Sequence, residues 1–470
     1  MFKKAAIATA LLVAALSSPT AYGWADAVQG LPVNEKGILQ VGTTEPANIQ
    51  ARVGESREDV ISYPGAQYIA VRFDSFDLPE NDEVVIRNAD FSVLYTYRGK
   101  GRNDAGSFFA THILGDKVFV QYIARSKEAS NGQRLAYSIP AFARGFKPRP
   151  TESVCGKDDS EPAKCYTTSS DLPQAYTRAK AVARLLINGT SLCTGWLAGS
   201  EGHLFTNQHC IDDPALAAST DIEFNAESAS CAEQCQIQLG CKGTIVTSKS
   251  TFVTNNEERD YAVLKLPATA DIQTYGYLQL RASGPQLGER IYIPQHPAGN
   301  AKRIAAKVDD GSPAKIEQVG AALSCGSNQV GYNADTQGGS SGSPVLGAAD
   351  NLVVSLHHCG GCNNQGVDIT DVINDLKAKN IQIKDLIVGS GAPTHSPVPT
   401  TPTPTTPKPT TPKPTTPKPT TPKPTTPKPT TPKPTTPKPS VCAGLTYSQC
   451  QDSLDCYWSW WRGVCRPFSS

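Results

Sequence analysis

Gly338-Gly339-Ser340-Ser341-Gly342-Ser343-Pro344 is the stretch on which the reading of this chain turns. A serine set between glycines, just ahead of a Pro-Val-Leu run, has few purely structural uses. Glycines allow positive φ and a close approach of the backbone to a ligand. Such a loop exposes one hydroxyl and can aim neighbouring backbone N–H groups at one point, where the negative charge of a tetrahedral intermediate would collect. A flexible surface loop can have the same composition, so the stretch needs corroboration from elsewhere in the chain.

Two upstream segments supply it. Leu204-Phe205-Thr206-Asn207-Gln208-His209-Cys210 places a histidine after an apolar, strand-like run and beside a cysteine. Glu258-Arg259-Asp260-Tyr261-Ala262-Val263-Leu264-Lys265-Leu266 places Asp260 at the head of an alternating strand. Alone, His209 reads as structural and Asp260 as a turn residue. With Ser341 they stand in the order His, Asp, Ser, one of the chain orders of nucleophilic triads. A serine hydroxyl is a poor nucleophile until a base takes its proton.

The chain has 470 residues, room for two to four domains. A formal net charge of +1 gives no bulk attraction to nucleic acid or to a membrane surface. Lys3 and Lys4, the apolar run Ala5 to Leu16, and Ala21-Tyr22-Gly23 read as a secretory signal over residues 1–23. The run is too short to span a bilayer, and no other segment approaches that length, so no transmembrane anchor is expected. A secreted, extracellular chain makes disulfides the first reading of its fourteen cysteines.

Residues 24–150 form a cysteine-free block. Gln67–Phe73, Glu83–Arg87, Val93–Tyr97 and Lys117–Tyr122 alternate and are separated by turn signals, which predicts an antiparallel β-sandwich. In pattern it resembles the jelly-roll or CUB-like domains that precede secreted proteases, as a propeptide, a binding module or a packing partner. Arg144-Gly145-Phe146-Lys147-Pro148-Arg149-Pro150 reads as an exposed basic linker open to processing. Residues 151–390 carry ten cysteines and a series of short strands, with helical periodicity over Val367 to Ile383. Residues 391–440 repeat TTPKP seven times, a composition that favours extended polyproline II and a stiff, O-glycosylatable stalk. Residues 441–470 hold Cys442, Cys450, Cys456 and Cys465 with Tyr457, Trp458, Trp460 and Trp461. A module this small needs disulfide staples, and its pairing is open among three connectivities. Its aromatics suit a structural knot, with a carbohydrate site as the alternative.

The triad segments, together with Leu192-Cys193-Thr194-Gly195-Trp196-Leu197, resemble the chymotrypsin-like serine endopeptidases over roughly residues 155 to 370. Their flavour is that of secreted microbial members, the lysyl and glutamyl endopeptidases. The resemblance implies an all-β fold with a double-barrel catalytic domain. It implies Ser341 as nucleophile, His209 as base and then acid, and Asp260 as the group that orients His209. It implies an oxyanion hole from the N–H groups of Gly339 and Ser341, a Cys193–Cys210 disulfide, and no cofactor. Cys155 and Cys165 would tie the start of the domain to later loops. A zinc site of Cys231, Cys235, Cys241 and a histidine is the rival reading of those cysteines. No cluster has calcium-ligand spacing.

Two departures matter. Ser340 stands where the trypsin pattern has an aspartate that pairs with a freshly cut N-terminus, so activation is expected instead through removal or rearrangement of the N-terminal block. The specificity pocket is contested. Asp335, six residues before Ser341, sits where trypsin-like enzymes place the carboxylate that receives Lys or Arg. Thr336 and His357 resemble the pocket of the glutamyl endopeptidases. A basic preference is expected, because a buried carboxylate outweighs neutral groups; a structural network around Asp335 would reverse it. His296 reads as structural. Asn188-Gly189-Thr190 is a glycosylation acceptor. The expectation is thus a secreted serine endopeptidase acting on protein or peptide substrates. Its stalk and tail would hold it to cell-wall or matrix polysaccharide. The rival is an extracellular adhesion or carbohydrate-binding protein built on a protease-like scaffold.

Overall fold

A computed structural model describes residues 38–126, 134–146 and 154–388, with two further strands at Cys456–Ser459 and Val464–Pro467. The expected signal peptide, the stalk and residues 147–150 lie outside the described residues. By its contacts the chain divides into residues 1–402 and 403–470. In the second unit the two strands pair antiparallel, Cys456 opposite Pro467 and Trp458 opposite Cys465. The disulfide pairing of the tail lies outside the described residues.

The first unit opens with β1 (Leu39–Gln40), β2 (Gly42–Arg52), β3 (Arg57–Ser62), β4 (Tyr68–Asp74), β5 (Glu83–Arg87), β6 (Leu94–Tyr97), β7 (Phe108–Phe109), β8 (Ile113–Leu114), β9 (Lys117–Ile123) and β10 (Leu135–Gly145). Two sheets form a sandwich: β2-β10-β4 with β7 and β8 on β4, and β3-β9-β5-β6. The alternation of β9 turns Val118, Val120 and Tyr122 inward, where they meet Phe73, Val84, Ile86 and Tyr137. The expected linker is partly a strand. Arg144 and Gly145 end β10, with the Arg144 guanidinium on Glu45 at 2.7 Å and over the Tyr63 ring. Pro140 hides this strand from a pattern search, because it breaks the run; it sits at a register shift between Ile139 and Ala141, where a proline does not interrupt the ladder.

The second block contains β11 (Glu161–Pro162), β12 (Val182–Ile187), β13 (Ser191–Ala198), β14 (His203–Thr206), β15 (Thr220–Phe224), β16 (Thr244–Thr247), β17 (Thr251–Asn256), β18 (Tyr261–Lys265), β19 (Leu280–Arg281), β20 (Ile291–Gln295), β21 (Arg303–Ala305), β22 (Ile316–Leu323), β23 (Gly326–Tyr332), β24 (Pro344–Gly347), β25 (Val353–Cys359), β26 (Asn364–Asp368) and β27 (Ile387–Val388). One sheet runs β16-β15-β12-β13-β14-β18-β17, the other β11-β21-β20-β24-β25-β26-β23-β22, and together they make the chymotrypsin-like double barrel. Asn188 and Gly189, both at positive φ (48° and 70°), make the tight turn from β12 to β13, the geometry that Asn-Gly favours in hairpins. The expected helix is shorter than its periodicity, at Ile369–Ala378: Asp368 caps its start through Thr370 N–H, and Asn380 at φ 59° lies in the left-handed region just past its end.

Five disulfides join Cys155–Cys362, Cys165–Cys231, Cys193–Cys210, Cys235–Cys241 and Cys325–Cys359. The thiols of the zinc alternative are therefore spent in S–S bonds.

The sandwich docks on the first barrel. Tyr68 Oη donates to Gly189 O at 2.8 Å, and Arg102 pairs with Asp221 at 2.9 Å with both side chains largely covered. His112 is 1% exposed beside Tyr68, and neither ring nitrogen has a hydrogen-bond partner. Burial pushes its pKa from 6.5 down to about 4, the Arg184 and Lys242 charges adding to the effect and Glu223 opposing it. The sign follows from linkage. Above pH 6.5 the ring is neutral in both states, and between 6.5 and about 4 only the unfolded chain takes the proton. Stability should therefore fall across that window by up to about 3 kcal/mol and level off below it. The measurement is the thermal midpoint against pH for the wild type and His112→Phe; equal slopes would place the acid sensitivity elsewhere.

Candidate active site

β14 delivers the histidine turn and β18 the aspartate, because the two strands are neighbours, Thr206 opposite Ala262. Asn207, fully buried, donates from Nδ2 to Asp260 O at 2.8 Å and ties the turn to the head of β18. Asp260 itself sits at φ 37°, a left-handed conformation that a non-glycine residue holds only under constraint. Its carboxylate accepts from His209 N–H at 2.9 Å through Oδ1, and Oδ2 lies 2.7 Å from His209 Nδ1. Oδ2 also lies 3.1 Å from His358 Nδ1. Burial by itself would raise the Asp260 pKa; the hydrogen bonds from His209 and His358 outweigh it and hold the group well below the usual carboxylate range. An ionised carboxylate only accepts, so Nδ1 of His209 carries a hydrogen and, in the neutral ring, Nε2 is the basic nitrogen. Nε2 is buried and makes no hydrogen bond.

The second barrel brings Ser341 to this wall. Thr194 N–H donates to Ser341 O at 2.8 Å, and Thr194 Oγ1 donates to Gly339 O at 2.8 Å. Thr194 follows Cys193, whose disulfide reaches Cys210 beside His209. The histidine turn and the serine loop are thus pinned to one stretch of β13. Within the loop, Ser340 N–H donates to Gln337 O, Ser343 N–H donates to Ser340 O, and Ser340 Oγ accepts from Gln337 N–H at 3.2 Å. Ser340 is satisfied inside its own turn, consistent with the loss of the trypsin-style aspartate. Among the described residues the N–H groups of Gly339 and Ser341 donate to no other group. Gly339 has φ 94° and lies against His296 O and Gly299 N, so the fully buried His296 segment acts as a shelf beneath the loop.

Gly342 must be glycine on two counts. Its φ is 89°, and a Cβ there would lie 2.1 Å from Thr194 O and 2.6 Å from Thr206 Oγ1. Gly342→Ala is expected to cost about 1–3 kcal/mol of stability and to shift the serine loop, lowering turnover more than ground-state binding. A steady-state comparison of kcat and KM checks this; unchanged kcat would mean that the loop absorbs the methyl.

The three residues expected in the pocket are all buried but not equivalent. Asp335 is 3% exposed and six residues upstream, yet its carboxylate accepts from Cys155 N–H at 3.3 Å and Asp159 N–H at 2.9 Å. It is tied to the start of the protease block, and burial raises its pKa to about 6 against those two bonds. Thr336 Oγ1 is buried without a partner. His357 Nδ1 lies 2.7 Å from Tyr332 Oη, which donates to Gln365 O at 3.0 Å. Tyr332 has one proton, so its oxygen accepts from His357 Nδ1–H. Burial drives the His357 pKa down to about 3, helped by the neighbouring His358 and His209. The ring is neutral and its Nε2 is an acceptor.

Sequence reasoning noted His358 only beside His357 on the pocket strand and gave it no role toward Asp260. It bridges Asp260 and Gln329, with Nε2 2.6 Å from Gln329 Oε1. The signal was present: adjacent residues of a strand point to opposite faces, so a pair His357-His358 cannot serve one pocket. Asn188 is exposed at its hairpin tip, accessible for the modification expected of it.

Residues 160–372 match the family model of the lysyl endopeptidase C-terminal domain. Secreted RxLR effector protein 73 of Plasmopara viticola is 41% identical over 335 residues, covering 67% of this chain and 80% of that protein. Among solved structures, the HtrA-type protease AlgW with tripeptide is 18% identical with a TM-score of 0.31, covering 43% of this chain and 61% of its own. The serine endoprotease from Yersinia pestis is 18% identical with a TM-score of 0.34, covering 46% of this chain and 68% of its own. The chain thus spans less than two thirds of the HtrA-type protease chain.

Proposed function

We propose a function for this chain from its family: it belongs to a serine protease family, through the lysyl endopeptidase C-terminal domain at 160–372, and to one family with the Plasmopara viticola protein. It is a secreted serine endopeptidase. The observation that supports this reading is the His209–Asp260 pair, with an unengaged basic Nε2, on a turn bridged by Cys193–Cys210 to the strand whose Thr194 N–H holds Ser341 O. In the reaction, Ser341 Oγ loses its proton to His209 Nε2 and bonds the scissile carbonyl carbon. The carbonyl oxygen takes the electron pair and is held by Gly339 and Ser341 N–H. The C–N bond then breaks, and His209 returns the proton to the leaving amine. Water repeats the sequence on the ester, releasing the acid and Ser341. Asp260 holds the imidazole and offsets its charge throughout.

Lys or Arg is the preferred residue before the cut, with Glu as the alternative. The pocket wall presents acceptors: the Asp335 carboxylate, which has lone pairs beyond its two backbone bonds, and neutral His357. A cationic side chain meets these directly, whereas a carboxylate would require His357 to take a proton that its burial disfavours. The ties of Asp335 to Cys155 and Asp159 are a structural network of the kind that would reverse the preference if it consumed the carboxylate; two accepted bonds leave lone pairs free, so the basic preference stands, weakened. The leader at 1–23 would export the chain, and the stalk with the tail would hold it at a surface or polymer.

The test is cleavage of a mixed peptide library by the secreted protein, with Ser341→Ala as control. Cuts after Lys or Arg are expected, and Asp335→Asn should lower them by about 10²–10³-fold relative to other residues. Cuts after Glu would assign the pocket to Thr336 and His357. Identical profiles from wild type and control would overturn the enzyme reading.

A further inference from the structure

β1 belongs to neither sheet of the sandwich. It adds to β13 of the protease block, Leu39 opposite Leu192 and Gln40 opposite Ser191. Val41 and Gly42 N–H continue the pairing by donating to Thr190 O at 2.8 and 3.1 Å. Leu192 directly precedes Cys193, the residue bridged to the neighbour of His209. Leu39 is 1% exposed and packs with Leu186, Leu192, Leu239 and Ala298. It also abuts the serine loop. A Cβ built on Gly339 would lie 3.0 Å from Leu39 Cδ2, and one on Gly338 3.4 Å from Leu39 Cδ1. Ile38 is buried within the protease core. A strand of the N-terminal block therefore fills an apolar pocket walled by the glycine whose N–H faces the proposed oxyanion.

Peptides bind protein edges in extended form by adding a strand, with backbone bonds giving affinity and pockets for alternate side chains giving selectivity. The β13 edge at Leu192 is such an edge, beside the nucleophile, and β1 already holds it. We infer that Ile38-Leu39-Gln40 is an in-cis occupant of a substrate subsite. The site takes an extended peptide with an apolar side chain in the place of Leu39, and the full chain is latent toward substrates that need this edge. The inference rests on the serine endopeptidase reading. The occupant is tethered through the sandwich, so it competes at high effective concentration without a covalent bond to the site. A substrate meets only the molecules whose β1 is displaced, and its apparent affinity falls by that fraction.

The full chain is assayed with two substrates: a quenched peptide extending several residues past the scissile bond, and an arylamide that ends at it. Leu39→Asp puts a charge into the apolar pocket and expels β1. Arg102→Gln loosens the same docking surface from a residue outside β1, since it removes the partner of Asp221. Both should raise kcat/KM for the long peptide by about tenfold and leave the arylamide nearly unchanged. A synthetic Ile-Leu-Gln-Val peptide should then inhibit Leu39→Asp competitively. Turnover that depends on Ser341 but keeps the same long-to-short ratio in both variants overturns this inference alone. Equal background turnover by the wild type, Ser341→Ala and both variants overturns the catalytic reading as well.

Discussion

Turnover of a peptide substrate is expected to fall about 10⁶-fold in His209→Ala, to the level of Ser341→Ala, with the double variant no worse than either. The non-additivity is the informative part. In the proposed mechanism Ser341 Oγ and His209 Nε2 act as one unit, since the hydroxyl needs the base and the base has no other task. The fold should survive. His209 is only partly buried, and Asp260 keeps His358 as a partner at 3.1 Å. The thermal midpoint of the variant should lie close to that of the wild type, which separates lost chemistry from lost structure. Residual turnover within a hundredfold of wild type would mean that another base serves Ser341.

Asp260→Asn should lower kcat by about 10⁴-fold, a smaller loss by a different route. The asparagine can accept one hydrogen bond on Oδ1, but its amide must then face a second donor. In the native site three donors converge on this carboxylate: His209 N–H, His209 Nδ1 and His358 Nδ1. An amide hydrogen opposite His209 Nδ1 favours the tautomer with its hydrogen on Nε2, the nitrogen that must accept from Ser341. The same substitution should change acid stability. Asp260 is held well below its ordinary value of 3.8, so its contribution is present above that pH and lost as pH falls below it. Unfolding of the wild type should steepen below pH 4, and that of Asp260→Asn should do so less. A variant retaining more than a tenth of wild-type kcat would show that His358 and the backbone fix the ring without the carboxylate.

The candidate triad was legible because its members sit in short motifs whose residue types answer to chemistry. Gly338 to Pro344 needs glycine at 339 and 342 for positive φ and for clearance, so the loop announces itself in composition. The strand character of β4, β5, β9, β12, β13 and β18 was equally plain, since each is a short apolar-rich run with one face or both in a core. β2 and β10 were hidden by Pro46 and Pro140, which break a run in sequence but are accommodated at a shift in register. The β22–β23 hairpin was hidden by composition, since much of it is exposed and carries no alternation of apolar residues.

Strand order, the supply of cysteines for stapling and the candidate reactive groups were therefore legible in the sequence alone, because each depends on local composition or on spacing along the chain. Three matters were decided only in the folded protein. Asp335 is buried, but two backbone N–H groups from residues 155 and 159 claim part of its carboxylate. His358 reaches Asp260 across 98 residues of chain. Leu39 leaves its own sandwich to lie against Gly339, a contact spanning 300 positions. Such partners are chosen by strand pairing and core packing between distant segments. A pattern read along the chain carries no term for that distance, and the fold supplies it.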